Sequence, residues 1–372
     1  RENTSTLYPD KRRRIAVVSP DTPAPTIAIF FKLIPKITLF YSLLINIEVT
    51  ISDNIMSDNT TLGNAAPEII LPEVEINLFT PKNPTMATIA ENYICTDDSS
   101  PNAIRHITID LSGSGLEGVF RSGQSIGILP PGENEKGKPH KLRLYSVSSP
   151  SKGEQGQNHL VSTTVKRANE EVDGVFYTGV CSNYLSNLKP GDSLQITGPS
   201  GKRYLLPENA EEFNFVFFAT GTGVAPFRGM IMELIEAGHK GQIVLVFGCP
   251  YRTDLLYKAY FEGLDDAHPN VHYLTMISRE DRRENGSKKY VQTAIEDYSE
   301  LLAPILGANN TLIYLCGMKG MQTGIYEQLA KQGFLDYLSL RGDLADKDPV
   351  EWTWEELKTQ VKPSERTFEE VY

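Results

Sequence analysis

A change of residue pattern near residues 207–213 constrains the fold more than any other feature of the sequence. From Thr88 to about Pro207, short runs such as RHITIDL and SLQITGP recur between Gly, Pro and Asn turns, and several alternate apolar with polar residues. Alternation with period two is typical of strands in an antiparallel sheet or barrel. After about Glu208, apolar strands such as QIVLVFGCP alternate with helical segments such as PFRGMIMELIEAG. This succession indicates a doubly wound parallel sheet, so the sequence predicts a β domain followed by an α/β domain.

The predicted boundaries divide the chain into three parts. Residues 1–84 are expected to form an extension and a flexible, disordered lead-in, residues 85–208 the β domain, and residues 209–372 the α/β domain. We expect the first 55 residues to be an upstream extension, with a natural start near Met56. The alternative is a real targeting or anchoring segment.

The early apolar stretch is a poor candidate for a membrane span. Lys32, Pro35, Lys36 and Glu48 interrupt it, which leaves no clean run long enough to cross a bilayer. We therefore expect no stable membrane insertion.

Charge and cysteine content exclude several classes of protein. The 372-residue chain has a formal net charge of −11, which disfavours a nucleic-acid-binding protein because phosphate contacts require a basic face. Its 4 cysteines contain no CxxC pair, which excludes an iron–sulfur cluster held on this chain by close-set thiolates and makes a disulfide scaffold a poor explanation. A reducing, cytoplasmic compartment is expected, and no metal site is predicted.

Two glycine-edged strand ends predict a dinucleotide site. ATGTGVAP, residues 219–226, and LCGMKGM, residues 315–321, would both lie at the carboxyl edge of the parallel sheet. Glycines there let the backbone approach an anion, and a following helix presents free N–H groups to phosphate. Each motif alone also fits a tight βα corner without ligand, and Cys316 on general grounds fits a small buried hydrophobe.

A charged loop follows a third strand end. SREDRRENGSKKY, residues 278–290, gathers Arg279, Arg282, Arg283, Lys288 and Lys289. It is either a solvated loop, as charge runs usually are, or a site for the extra 2′-phosphate of NADP.

One strand of the β half carries residues suited to a flat, phosphorylated ligand. KLRLYSVSS, residues 141–149, places Arg143 and Tyr145 on one face and Leu144 and Ser146 on the other. That face offers a cation for a pyrophosphate and an aromatic plate for a flat ring, although surface strands often carry such residues without function.

These stretches match a known family in order. The motifs GKPHKLRLYSVSS, GVCSNYLSNLKPGD, ITGPSGKRYLLP, GTGVAPFR, LLYKAYFE, SRE…KKYVQT, YLCGMKGM and the terminal EVY resemble those of the plant-type ferredoxin–NADP reductases. The resemblance covers roughly residues 85–372. It implies an FAD-binding antiparallel barrel, an NADP-binding α/β domain, and hydride transfer between nicotinamide and flavin in the cleft between them.

The resemblance implies which residues hold FAD. Tyr145 would stack on one face of the isoalloxazine with Ser146 near its reactive nitrogen, while Arg143 and Ser182 would hold the pyrophosphate. The remaining implied FAD contacts are Leu144, Thr164, Val165, Val180 and Cys181.

The resemblance also implies the NADP(H) contacts and the catalytic set. The nucleotide contacts would be Lys166, Thr222, Cys249, Pro250, Gly317 and Met318. The 2′-phosphate and adenine would be bound by Ser278, Arg279, Lys288 and Tyr290. Tyr372 would cover the second flavin face and move aside for the nicotinamide, Cys316 would flank the nicotinamide, and Glu370 would form a polar relay with Ser146.

The sequence departs from the family pattern at several positions. Glu170 stands where the family commonly has a Tyr that stacks on the FAD adenine, so either Tyr177 substitutes or the adenine is loosely held. Phe368 and Glu369 stand where the family has a Trp and a small or apolar residue. An additional acidic stretch at residues 342–356 precedes them.

A local basic patch predicts a separate electron carrier. Lys136, Lys138, His140 and Lys141 precede the flavin strand, with Lys202 and Arg203 expected nearby. Such a patch would steer an acidic ferredoxin or flavodoxin to the flavin edge of a monomer, although a solvated loop has the same composition.

Two rival functions stay open at this point. One is an NADH-preferring cytochrome b5 reductase-like flavin module, and the other is a non-catalytic flavin-binding or anchoring protein.

Overall fold

The computed structural model describes residues 65–172 and 174–372. Ala65–Tyr372 form one compact unit. The predicted upstream extension and its start near Met56 lie outside the described residues. Within the described part of the chain, no helix is long and apolar enough to cross a membrane.

The first half of the described chain is built from eight strands, one α-helix and a short 3-10 helix at Glu154–Gly156. In chain order the strands and the α-helix are β1 (Thr85–Ile94), β2 (Ile104–Asp110), β3 (Ser125–Leu129), β4 (Arg143–Ser146), β5 (Leu160–Lys166), β6 (Asn169–Val172), β7 (Val175–Thr178), α1 (Val180–Asn187) and β8 (Ser193–Ser200). Six strands form one antiparallel sheet in the order β4-β3-β8-β1-β2-β5, and β6 and β7 pair separately. A bridge between Val147 and Thr163 joins the two edge strands. The sheet therefore closes into the predicted barrel, because neither edge is left unpaired there.

The interior of the barrel follows from the two-residue period of its strands. Fully or almost fully buried apolar residues alternate along β2, β3 and β8, and they are Ile107, Ile109, Ile126, Ile128, Leu194 and Ile196. Because side chains of a strand alternate between its faces, this spacing sends one set of residues to a common core.

The second half forms a parallel sheet covered by helices on both faces. In chain order its elements are β9 (Asn214–Thr220), α2 (Val224–Glu236), β10 (Ile243–Cys249), α3 (Lys258–Ala267), β11 (Val271–Ile277), α4 (Ala294–Asp297), α5 (Ser299–Leu306), β12 (Thr311–Gly317), α6 (Lys319–Lys331), β13 (Leu338–Leu340), α7 (Trp354–Gln360), β14 (Val361–Pro363) and β15 (Thr367–Val371). The main sheet has the order β11-β10-β9-β12-β15, with every pair parallel, and β13 pairs with β14.

Strand order within this sheet fixes the location of the site. Starting from β9, the chain proceeds outward to β10 and β11, and then returns to place β12 on the other side of β9. A crevice forms at such a reversal, at the carboxyl ends of the strands. Thr220 and Gly317 end the two strands that border it. These sheets confirm the predicted fold class, while the domain boundary at residues 208 and 209 stays a prediction.

The end of the predicted lead-in lies against the barrel. The Asn77 backbone N–H donates to the Pro199 carbonyl oxygen at 2.8 Å, and the Phe79 N–H donates to the Gly198 carbonyl oxygen at 3.1 Å. Phe79 also packs against the barrel core. Asn77 and Phe79 therefore have defined contacts with β8 within the segment that the sequence predicts to be flexible.

A buried polar cluster joins the barrel to the parallel sheet. Its members, called the junction cluster, are His106, Glu154, Ser162, Thr164, Arg228 and Tyr257. Arg228 of α2 donates from both terminal nitrogens to the two oxygens of Glu154, at 2.9 and 2.7 Å. The Tyr257 hydroxyl lies 2.6 Å from Thr164 Oγ1 and 2.8 Å from His106 Nδ1. Such a fork-shaped ion pair holds the two halves together, because separating them would leave buried charges unpaired.

Candidate active site

The end of the chain meets the barrel through one hydrogen bond. The Ser146 hydroxyl, at the end of β4, donates to Glu370 Oε2 at 3.1 Å. Glu370 lies on β15, whose register places it beside Cys316 of β12. The Tyr372 N–H donates to the Gly317 carbonyl oxygen at 3.0 Å. The structure thus brings the four residues predicted to be catalytic to one edge of the parallel sheet.

Burial sets the protonation of this group. Burial raises the pKa of Glu370, and the hydrogen bond from Ser146 opposes that rise. Burial, and then the negative charge of Glu370, raise the pKa of the Cys316 thiol well above its ordinary value of 9.0. The thiol therefore stays protonated at neutral pH, and Glu370 is the one group here suited to gain and lose a proton.

The Tyr372 backbone is held by β12 and α6, whereas its ring is held through the hydroxyl and is otherwise open. Its hydroxyl lies 2.9 Å from Thr222 Oγ1, and the residue is 69% exposed. Thr222 lies in the glycine turn at the end of β9. The ring therefore rests at the mouth of the crevice without being packed into the core.

A cavity of about 550 Å³ lies between β4 and the start of α1. Arg143 and Tyr145 line it from β4, and Val180, Cys181 and Ser182 line it from α1. Burial raises the pKa of the Tyr145 hydroxyl, so this residue presents an uncharged aromatic ring. A cation, an aromatic plate and the N–H groups at a helix start are the donor set that a flat ring with a pyrophosphate requires. The residues present therefore fit FAD.

Not every predicted FAD contact lines this cavity. Leu144 is 54% exposed on the other face of β4. Thr164 contacts Tyr257 in the junction cluster, and Val165 is buried in the barrel core. Lys166, which the resemblance assigns to NADP(H) and not to FAD, ends β5 as an exposed residue and does not line this cavity either. The resemblance alone supports a role for these four residues.

The nucleotide side of the crevice is formed by strand ends. Thr222 follows β9, Cys249 and Pro250 mark the end of β10, and Gly317 and Met318 mark the end of β12. Gly317 has φ +144°, and a Cβ added there would lie 2.1 Å from Thr220 Oγ1. Only glycine fits, because β12 approaches β9 too closely for any side chain.

The predicted 2′-phosphate loop is anchored to β10. The Ser278 and Arg279 N–H groups each donate at 3.0 Å to the carbonyl oxygens of Cys249 and Pro250. Lys288 and Tyr290 are exposed farther along the loop. The loop thus places a guanidinium, an ammonium and a phenol ring near the ends of two neighbouring strands.

Sequence reasoning missed Tyr251, which positions Arg279. The Arg279 guanidinium donates to the Tyr251 hydroxyl at 2.8 Å and lies 5.3 Å from the centre of its ring. The sequence signal that could have identified Tyr251 is its place as an aromatic residue two positions beyond the end of β10. The ring holds the cation by a hydrogen bond and by cation–π attraction.

Arg283 differs from the other cations of this loop. It forms ion pairs with Glu296 at 2.8 Å and Asp297 at 2.7 Å. Two carboxylates therefore neutralise it, and the hypothesis that counted it among the 2′-phosphate ligands is not supported by its contacts.

Comparison with known proteins identifies the family. Residues 217–327 match the family described as an oxidoreductase NAD-binding domain. A ferredoxin–NADP reductase of Picosynechococcus sp. is 38% identical over 315 residues, which are 82% of this chain and 74% of that protein. The chloroplastic leaf isozyme 1 of Arabidopsis thaliana is 39% identical over 306 residues, 80% of both chains. This chain belongs to the ferredoxin–NADP reductase family.

Solved structures of ferredoxin–NADP+ reductase from Plasmodium falciparum show the same fold. One, with 2′P-AMP, has a TM-score of 0.61 at 23% identity and covers 81% of this chain and 100% of that chain. Another has a TM-score of 0.58 at 24% identity, and the match covers 80% of this chain and 99% of that chain. As a family member, the chain is an oxidoreductase that uses FAD and NADP(H). The cytochrome b5 reductase-like alternative is not favoured by these comparisons.

Proposed function

We propose that this chain exchanges a hydride between NADP(H) and FAD, and single electrons between FAD and ferredoxin. The observation that carries the proposal is the Ser146–Glu370 hydrogen bond. It joins the strand that lines the cavity of about 550 Å³ to the strand that ends beside the nucleotide crevice. When bound, FAD supplies the conversion between two-electron and one-electron chemistry.

Glu370 and Ser146 would manage the proton that accompanies electron transfer. The raised pKa of Glu370 brings this carboxyl closer to neutral pH, where a group can both accept and release a proton. The Ser146 hydroxyl donates to the carboxylate and so orients it. Cys316, kept as a neutral thiol, would provide an uncharged wall for the nicotinamide.

Tyr372 would act as a displaceable cover. Its exposure supports this role, because a ring held only through its hydroxyl, by Thr222 and the Gly223 backbone, can leave without disturbing the core. Thr222 would then lose one polar partner and gain access to the nucleotide. Net hydrogen bonds of this kind contribute about 1 kcal/mol, which a bound nucleotide can offset.

Preference for NADP(H) would come from Arg279. The Tyr251 contacts hold its guanidinium at the loop where Ser278, Lys288 and Tyr290 also lie. An oriented guanidinium binds a phosphate through paired hydrogen bonds, which NADH does not offer.

Ferredoxin would dock on the basic patch beside the FAD cavity. His140 and Lys141 line that cavity, and Lys136 and Lys138 are exposed next to it. On a chain with a formal net charge of −11, this local excess of cations favours an acidic carrier approaching the flavin edge. Flavodoxin as a second carrier, a monomeric state and a cytoplasmic location stay predictions from the sequence.

The adenine end of FAD would be held by the β6–β7 hairpin. Phe176 and Tyr177 are 65% and 57% exposed on β7, and Thr178 lines the cavity at the end of the same strand. A free aromatic ring next to the cavity supports the proposal that Tyr177 substitutes for the usual tyrosine.

An absorbance spectrum followed by NADPH titration tests the proposed function. The purified protein should show a flavin spectrum that NADPH bleaches, and reoxidation by ferredoxin should restore it. The R279A variant should keep the flavin spectrum and require far more NADPH for bleaching. A colourless protein, or one that NADPH does not bleach, would contradict the proposal.

A further inference from the structure

A second cavity, of about 140 Å³, lies behind the C-terminal strand. Glu369 and Val371 line this cavity, whereas Glu370 contacts Ser146 and Tyr372 contacts Thr222 on the other face of the strand. This separation follows from the alternation of side chains along a strand. The same five-residue strand therefore forms a wall of two different sites.

The rear cavity carries an excess of positive charge. Lys319 of α6, Lys358 of α7 and Lys362 of β14 line it from three separate elements, against the single carboxylate of Glu369. None of the three lysines forms an ion pair with another of the described residues. Three lysines without a carboxylate partner line one concave site, although the Lys358 ammonium also lies 5.9 Å from the centre of the Trp354 ring. Their combined charge leaves a place for an anion.

Glu369 does not neutralise these lysines because neutral donors already hold it. The Tyr326 hydroxyl and the Gln322 side chain both donate to Glu369 Oε2. The carboxylate is thus fixed against α6, and the lysine side of the cavity stays free for a ligand. This arrangement gives a structural role to the unusual glutamate in the tail.

We propose that the rear cavity binds a small multivalent oxyanion of the phosphate or diphosphate class, and that its occupancy modulates the position of Tyr372. The rear cavity has about a quarter of the volume of the cavity beside β4, about 140 against about 550 Å³, which favours a small oxyanion over a nucleotide. Lysine ammonium groups bind phosphate as point charges. The second half of the proposal rests on the proposed role of Tyr372 as a displaceable cover.

Lys319 connects the rear cavity to Tyr372 directly. Its side chain lines the cavity, and its backbone N–H donates to the Tyr372 carbonyl oxygen at 3.2 Å. An anion that draws the Lys319 side chain inward therefore acts on the residue that holds the end of the chain. Val371, which also lines the cavity, is the immediate neighbour of Tyr372.

Calorimetry with diphosphate tests the site itself. The holoprotein is titrated in saturating NADP+, which fills the phosphate subsites of the nucleotide crevice. Wild type and the control variant K240Q, which changes an exposed lysine after α2, should bind diphosphate. The K358Q/K362Q variant should bind diphosphate at least about tenfold more weakly than wild type. Equal affinity in all three proteins, absence of binding to wild type, or tighter binding of succinate than of diphosphate would overturn the proposed site.

Stopped-flow reduction of the flavin by NADPH tests the coupling. Diphosphate should change the NADPH concentration for half-maximal rate by about twofold or more in wild type and K240Q, and leave K358Q/K362Q unchanged. If diphosphate binds to wild type but leaves its NADPH concentration for half-maximal rate unchanged, the coupling is overturned and the binding site is not. A failed proposed function would instead appear as missing flavin reduction in every variant, while the calorimetric comparison would still hold.

Discussion

Acidification from pH 7 to pH 5 is expected to weaken the fold through one buried imidazole, that of His106. Burial, and then the positive charge of Arg228, lower the pKa of His106 from 6.5 to about 4, while Glu154 opposes the change. The unfolded chain binds a proton near pH 6.5 and the folded chain only near pH 4, so stability is lost as the pH falls through this window. At about 1.4 kcal/mol for each pKa unit, reaching pH 5 lowers the free energy of unfolding by about 2 kcal/mol.

Urea unfolding of wild type and the H106N variant at several pH values between 7 and 5 measures this contribution. The asparagine keeps a polar atom for the Tyr257 hydroxyl, which lies 2.8 Å from His106 Nδ1, and it cannot titrate. His239, whose pKa burial also lowers, is present in both proteins and cancels in the comparison. As the pH is lowered from 7 to 5, the midpoint urea concentration should decrease more steeply in wild type than in H106N. Equal pH dependence in the two proteins would refute the argument.

Three further predictions concern the active site and its partners. E370Q keeps the shape of the carboxyl but removes its titration, so electron transfer between the flavin and ferredoxin, measured by stopped-flow, should slow by about 10- to 100-fold; an unaltered rate would exclude the proton relay. R279A should raise the KM for NADPH by about 100-fold without affecting NADH, and Y251F, which loses only the hydroxyl contact to Arg279, by about fivefold; identical NADPH kinetics in Y251F and wild type would show that Tyr251 does not position the guanidinium. K138E/K141E should slow ferredoxin reduction by about tenfold at low salt, with a smaller difference at high salt; the same rate as wild type would remove the docking patch.

Sequence patterns predicted the architecture because strands and helices each impose a local periodicity on the residues that form them. Period-two alternation gave the barrel strands, and glycine-edged apolar runs gave the parallel sheet, and both are confirmed. The contact between Ser146 and Glu370, 224 positions apart, follows from the family resemblance and not from any local pattern.

The contacts that sequence did not predict depend on where side chains meet across elements. Arg228 looks like an ordinary helix residue in the sequence, yet it pairs with Glu154 of the barrel at 2.7 Å. Arg283 belongs to a run of cations, and only the packing of α4 reveals that Glu296 and Asp297 neutralise it. Thr164 is predicted to contact FAD, and the structure shows in addition that its side-chain hydroxyl lies 2.6 Å from the Tyr257 hydroxyl. Pairings of this kind are set by the approach of two elements, which composition and spacing do not encode.

Burial decreases along the C-terminal strand toward the crevice. β15 is the outer strand of the parallel sheet and pairs with β12 alone. Phe368 anchors it, because its ring stacks on Tyr314 with centroids 4.5 Å apart inside the core. Two positions later Glu370 is still partly buried, and two further on Tyr372 is 69% exposed. Because burial decreases from Phe368 to Tyr372, displacement of the Tyr372 ring would break contacts at the crevice and leave Phe368 in place. The Y372S variant should therefore alter access of the nicotinamide to the flavin. Its midpoint urea concentration should stay that of wild type.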